Sequence, residues 1–253
     1  MYDLIGDIHG YASELKALLA KMDYQVTDGI WRHPEQSQRR RTDKNLKQHQ
    51  AFLEQVGESS ELHSSMIEWF KTLPLFLDLP ELGVVHACWH PKYLGMVYEF
   101  TDDQNRLLPH AWEASSRKGS EAYDSIEVLL KGLEIPLPKG HYLLDKEKNK
   151  RTDVRAKWWQ TEQLTYRDLA IVTGSEIEKI PHDPVESDIL PGYDGEKPVF
   201  VGHYWRTGEP APLSEYIACL DYSVAGAGGG KLCAYRFDGA QTLNPQRFIW
   251  VDA

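Results

Sequence analysis

Apolar and polar residues along this chain switch between a period of two and a period near 3.6, and each switch marks a new element. Tyr2–Gly6 is a short apolar run closed by glycine and predicts a strand. Tyr11–Met22 follows, with Leu15, Leu18, Leu19 and Met22 at helical spacing, so the chain opens with strand, glycine turn and helix. Gly29–His33 reads as a short strand. After Pro34 the segment Gln36–Lys44 is polar and basic, with Arg39, Arg40 and Arg41 in a row, which is the pattern of a solvated loop.

Leu46–Val56 and Leu62–Leu73 each show one apolar face, built from Phe52, Leu53 and Val56 and from Met66, Ile67 and Phe70, and Pro74 closes the second helix. Leu75–Leu79 and Gly83–Ala87 are strand-like, and Pro80-Glu81 between them predicts a hairpin. Tyr123–Leu130 predicts a helix, after which Pro136 and Pro138 break the chain. From Ile180 to Pro212 regular periodicity is lost, apart from Pro198–Val201. Tyr216–Tyr222, a glycine-rich turn at Gly226–Gly230, Leu232–Phe237 and Phe248–Val251 predict an antiparallel meander.

Composition narrows the class. The 253 residues, with eight Trp and thirteen Tyr, supply a core of ordinary size. A formal charge of -10 argues against a nucleic-acid polymer as partner, and an acidic chain that handles small phosphate esters needs bound cations or a few arginines. No apolar run spans a bilayer, because the longest, Gly83–Trp89, is interrupted by His86, so no membrane partner is expected. Met1-Tyr2-Asp3-Leu4 does not resemble a signal peptide. Cys88, Cys219 and Cys233 are few and far apart, which fits reduced, buried thiols in a cytoplasmic protein.

The candidate chemistry lies in a recurrence. Three apolar runs end in residues of metal-binding type: Leu4-Ile5-Gly6-Asp7-Ile8-His9-Gly10, Gly83-Val84-Val85-His86-Ala87 and Pro198-Val199-Phe200-Val201-Gly202-His203. Side chains at strand carboxyl ends leave the packed layer and gather in a crevice. Asp7 and His9 are two apart, so an extended chain would point both to one side. A set of carboxylate and imidazole without thiolate suits Mn, Fe, Zn, Co or Ni. A lone His is more often a hydrogen-bonded turn residue, and His33, His49, His63, His90, His110, His141 and His182 are read that way.

These segments resemble the metallophosphoesterase (calcineurin-like) family. Gly6-Asp7-Ile8-His9-Gly10 is similar to its first motif, Val85-His86-Ala87 to its fourth and Gly202-His203 to its fifth. The bacterial branch of diadenosine-tetraphosphatase-like and serine/threonine-phosphatase-like proteins is the nearest in kind, through Leu130-Lys131-Gly132, Arg155-x-x-Trp158-Trp159 and Ala218-Cys219-Leu220-Asp221. The resemblance implies a mixed α/β (α+β) fold of two facing mixed β-sheets flanked by helices, as one domain over residues 1–253. It implies a hydrolase of phosphomonoesters, phosphoproteins or dinucleoside polyphosphates that works through two divalent ions, with Mn first among them, and an activated hydroxide. Asp7 and His9 would hold one ion, His86 and His203 the other.

The family's second motif, Gly-Asp-x-x-Asp-Arg-Gly, and its third, Gly-Asn-His-Asp/Glu, are absent, and the interval that should carry them is the short run near residues 35–45. The resemblance therefore implies a domain shortened there and lacking part of the first sheet, without the bridging carboxylate and without a general-acid His. Asp23, Asp28, Asp43 and Asp78 are the conceivable substitutes, though none has a strand-end context. The alternative to an active phosphatase is a truncated, catalytically impaired relative with a binding role. Arg155 and Arg151 are candidate phosphate contacts, against surface ion pairs with Asp153 or Asp145. Trp158-Trp159 reads as a packing pair, against nucleobase stacking.

Overall fold

A computed structural model describes residues 2–22, 60–145, 148–162, 164–172, 174–186, 189–226 and 228–253. The expected elements at Gly29–His33 and Leu46–Val56, and the basic run Gln36–Lys44, lie outside the described residues. The strands are β1 (Tyr2–Ile5), β2 (Phe76–Asp78), β3 (Gly83–Val85), β4 (Glu134–Pro136), β5 (Leu143–Leu144), β6 (Lys150–Arg151), β7 (Asp153–Arg155), β8 (Val199–Val201), β9 (Ile217–Cys219), β10 (Asp221–Tyr222), β11 (Lys231–Phe237) and β12 (Phe248–Asp252). The helices are α1 (Ala12–Lys21), α2 (Glu61–Phe70), α3 (Pro91–Val97), α4 (Ala111–Ser116), α5 (Glu121–Lys131) and α6 (Tyr166–Leu169). No helix among the described residues is long and apolar enough to cross a membrane.

Two four-stranded sheets carry the architecture. In the first, β11 pairs antiparallel with β1, β10 and β12. In the second, β2 and β3 form the expected hairpin, while β3, β8 and β9 run parallel. The chain is thus mixed α/β, with one antiparallel sheet and one mixed sheet where two mixed sheets were expected. Two-stranded pairs β4–β7 and β5–β6 lie apart from both.

The sheets pack face to face through alternate residues. Cys233, Tyr235 and Phe237 on one side of β11 meet Phe200 of β8 and Ala218 of β9. The Phe200 ring lies 5.1 Å from Tyr235 and 6.1 Å from Phe237. The other side of β11, Leu232 and Ala234, packs on Leu18 and Leu19 of α1 and on Met22 just after it. Val199, Val201, Ile217 and Cys219 point the opposite way from Phe200 and Ala218, into a core that includes Leu94 of α3 and Leu129 of α5. β8, β9 and β11 are therefore covered on both faces, which explains their near-continuous apolar sequence.

The meander expected at the C-terminal end needs correction. Ile217–Cys219 pairs parallel with β8, and two residues later Asp221–Tyr222 pairs antiparallel with β11. The chain thus passes from one sheet to the other at Leu220, between β9 and β10. Gly6 sits against that crossing, because a Cβ there would lie 2.0 Å from the Leu220 carbonyl oxygen. The helix expected over Leu62–Leu73 runs Glu61–Phe70, its last residues becoming turn ahead of Pro74. The short helices α3 and α4 carry too few turns to show a period, and sequence reading passes over both.

Candidate metal centre

Three parallel strands, β3, β8 and β9, deliver their carboxyl ends to one edge, and β1 ends beside them. The Gly6 amide donates to the Cys233 carbonyl (2.8 Å) while Asp221 pairs with Leu232, the next residue of the same strand. The ends are also tied to each other. The Gly202 amide donates to the His86 carbonyl at 2.9 Å, and the Leu220 amide to the Val201 carbonyl at 2.7 Å. Beneath His86, the Ala87 carbonyl accepts from Trp158 Nε1 (3.0 Å) and from Tyr204 Oη (2.8 Å). Burial raises the Tyr204 hydroxyl far above the ordinary tyrosine value, so it serves as a donor there.

The four residues singled out from sequence meet. Asp7 Oδ2 lies 4.0 Å from His9 Nε2 and 3.9 Å from His86 Nε2. His86 Nε2 and His203 Nδ1 are 3.3 Å apart, and the His203 amide donates to Asp7 Oδ2 at 3.4 Å. The expected route for the Asp7–His9 pair is wrong, however. Residues 6–8 are not strand, and His9 stands in the left-handed region at φ 50 with Gly10 at φ 80 behind it. A tight turn, not extended alternation, brings His9 back toward Asp7.

Asp221 is the ligand-type residue that sequence reading missed. It is fully buried, and its carboxylate oxygens accept from the Trp205 and Ser223 amides, each at 3.0 Å. No Lys or Arg lies within 4.0 Å of it among the described residues. A buried carboxylate compensated only by amide dipoles is costly, and a cation nearby would offset that cost. Asp7, His9 and Asp221 each offer a ligand atom, all within 4.8 Å of one another. The available signal was the Asp at the end of an apolar run, the same signal that marked Asp7.

The donors present are of a kind that could hold a divalent cation. Two nitrogens bound to one tetrahedral ion at roughly 2.0–2.1 Å are separated by roughly 3.3 Å, the spacing found between His86 and His203. The cradle depends on Gly202, where a Cβ would lie 2.0 Å from Asp7 Oδ1.

Of the substitute carboxylates considered, Asp78 ends β2, which runs antiparallel to β3, and it pairs with Lys197, so it faces away from this edge. Asp23, Asp28 and Asp43 lie outside the described residues. Arg151 is held by Asp145, with Nε and Nη2 at 3.0 and 2.9 Å from one carboxylate oxygen, in the β5–β6 hairpin. Arg155 lies 3.6 Å from Glu134 and flanks the same gap at Gly132 as the Tyr204 hydroxyl. Trp158 and Trp159 are core residues in edge contact at 5.6 Å, as packing required.

His90 and Tyr93 pack ring to ring at 4.7 Å, and burial with Lys92 nearby lowers the His90 pKa. His33 and His49 lie outside the described residues.

The chain matches no family model. No curated protein matches it either.

Proposed function

We propose that this chain is a metal-dependent hydrolase of phosphate esters, of metallophosphoesterase type, with Asp7, His9, His86, His203 and Asp221 around its metal centre. One observation carries the reading: four strand ends, separated by up to 214 positions between Asp7 and Asp221, present two carboxylates and three imidazoles to one edge. Bound divalent ions, Mn foremost, supply positive charge to phosphoryl oxygens and lower the pKa of water. The protein's own part is to hold the donors rigidly. Asp7 Oδ2 lies 4.0 Å from His9 Nε2 and 3.9 Å from His86 Nε2, so its carboxylate would help to hold a cation beside them. His9 is exposed at the rim of the group.

The substrate class is a small phosphorylated molecule or a phosphoprotein, and the buried free thiols support a cytoplasmic setting. The lack of the second and third family motifs favours a second reading, a catalytically impaired relative that binds metal without turnover. Both are tested together. Purified protein, Asp7→Ala and His203→Ala are titrated with Mn by calorimetry and assayed on p-nitrophenyl phosphate. Saturable uptake with turnover lost in both variants supports the hydrolase. Uptake without turnover supports the binding relative, and no saturable uptake overturns both.

A further inference from the structure

Six non-glycine residues among those described have positive φ, and four of them, His9 (φ 50), His203 (φ 68), Trp205 (φ 46) and Ser223 (φ 59), surround the metal centre. Such conformations are costly, most of all for a bulky side chain, and persist where the surrounding structure enforces them. Trp205 is the extreme case. Its amide is pinned by the fully buried Asp221 carboxylate at 3.0 Å, and the next amide, of Arg206, donates to the Asp221 carbonyl at 2.9 Å. The indole held by this clamp is nonetheless 47% exposed. Its centroid lies 5.4 Å from that of His9, at an angle of 51°. Strained backbone, a buried clamp and an exposed ring beside a candidate ligand are poor terms for stability alone.

We propose that Trp205 is a specificity-determining platform, stacking a planar aromatic group carried by the substrate beside its phosphate. The inference rests on the phosphate-ester reading above and names the substrate class for that site. An indole offers a wide, rigid π-face at small entropic cost. Stacking on such a face tolerates any planar ring, so the shared chemistry is an aromatic group linked to phosphate, whether a nucleobase reached across a sugar or a ring attached directly to the ester oxygen. The phosphate end would lie toward His9 and Asp7, and the ring end toward solvent over Trp205.

The test uses phosphonates, whose P–C bond resists hydrolysis, so binding is read apart from turnover. The full chain with Mn is titrated calorimetrically with methylphosphonate, phenylphosphonate and a nucleoside 5′-methylenephosphonate. The expected result is at least tenfold tighter binding of one or both aromatic ligands than of methylphosphonate, and the preferred arm identifies the source of the ring. Trp205→Ala should bring the aromatic ligands down to the methylphosphonate level, and Trp205→Phe should keep most of the preference. Trp205→Leu repeats the loss of the ring with apolar bulk retained, which guards against a poorly folded alanine variant. Equal affinity for all three ligands in the wild type overturns the proposal, as does an equal loss for all three in the Ala and Leu variants. An aromatic preference without turnover on any ester would instead sink the hydrolase reading and leave the platform standing.

Discussion

Gly202→Ala separates the geometry of the proposed metal centre from the stability of the fold. The new methyl would lie 2.0 Å from Asp7 Oδ1 and 3.0 Å from Asp7 Cγ. To restore an ordinary contact of roughly 3.5 Å, the carboxylate must retreat by about 1.5 Å. Its other oxygen, 4.0 Å from His9 and 3.9 Å from His86, travels with it. The obstructing atom ends a short side chain, so the displacement is cheap for the fold. Alanine also restrains the unfolded chain, a gain of about 0.4–1 kcal/mol that offsets part of the strain. The melting temperature should therefore shift by no more than about 4 °C, equivalent to ~1 kcal/mol in a chain of this size. Mn affinity should fall at least tenfold, or about 1.4 kcal/mol, because a ligand displaced by more than 1 Å no longer meets the ion. Calorimetric titration beside a thermal melt reads both quantities. Unchanged Mn affinity in a folded variant would refute the assignment of Asp7 as a ligand, and a variant that does not fold would refute the claim that only a side chain yields.

Gly6→Ala makes a clash of the same 2.0 Å, but with the Leu220 backbone carbonyl at the crossing between sheets. Backbone on both sides cannot retreat, so chemical denaturation should show a loss on the order of 3 kcal/mol or more. Burial pushes the Cys219 thiol up to about 12 and raises Cys88 and Cys233 as well. Native protein at pH 8 should leave a thiol reagent unreacted, and unfolded protein should release all three equivalents. The half-buried His90 titrates below its ordinary 6.5 when folded. The unfolded chain thus takes up the proton first as pH falls, and stability present above pH 6.5 is lost down to the lowered folded value. Urea midpoints at pH 7.5 and 5 should differ less in His90→Gln than in the wild type.

Sequence made the strand ends legible because an apolar run followed by a metal-binding residue is a local pattern. Asp7, His86 and His203 all carry it, and the glycines beside Asp7 and His203 prove to be steric requirements. Asp221 carries the pattern too, but Tyr216–Tyr222 reads as one strand of one sheet. The transfer at Leu220 depends on which partners flank the chain, which no local period records. The left-handed turn at His9 was equally hidden, since the apolar run before it reads straight on as extended chain. Trp205 escaped notice because it lies beyond the strand, in a loop shaped by a carboxylate 16 positions away.

The placement of β1 sets an order of events during synthesis. Its ladder partner among the described residues is β11, in a register from Tyr2↔Phe237 to Ile5↔Ala234. β1 can complete that ladder only after residues 231–237 have been made. Contacts at such sequence separation slow folding. Asp7 follows β1 directly, so its place beside His86 and His203 depends on that long-range pairing. A chain ending before residue 231 would keep the His86 and His203 segments and lack the ladder that sets Asp7 beside them.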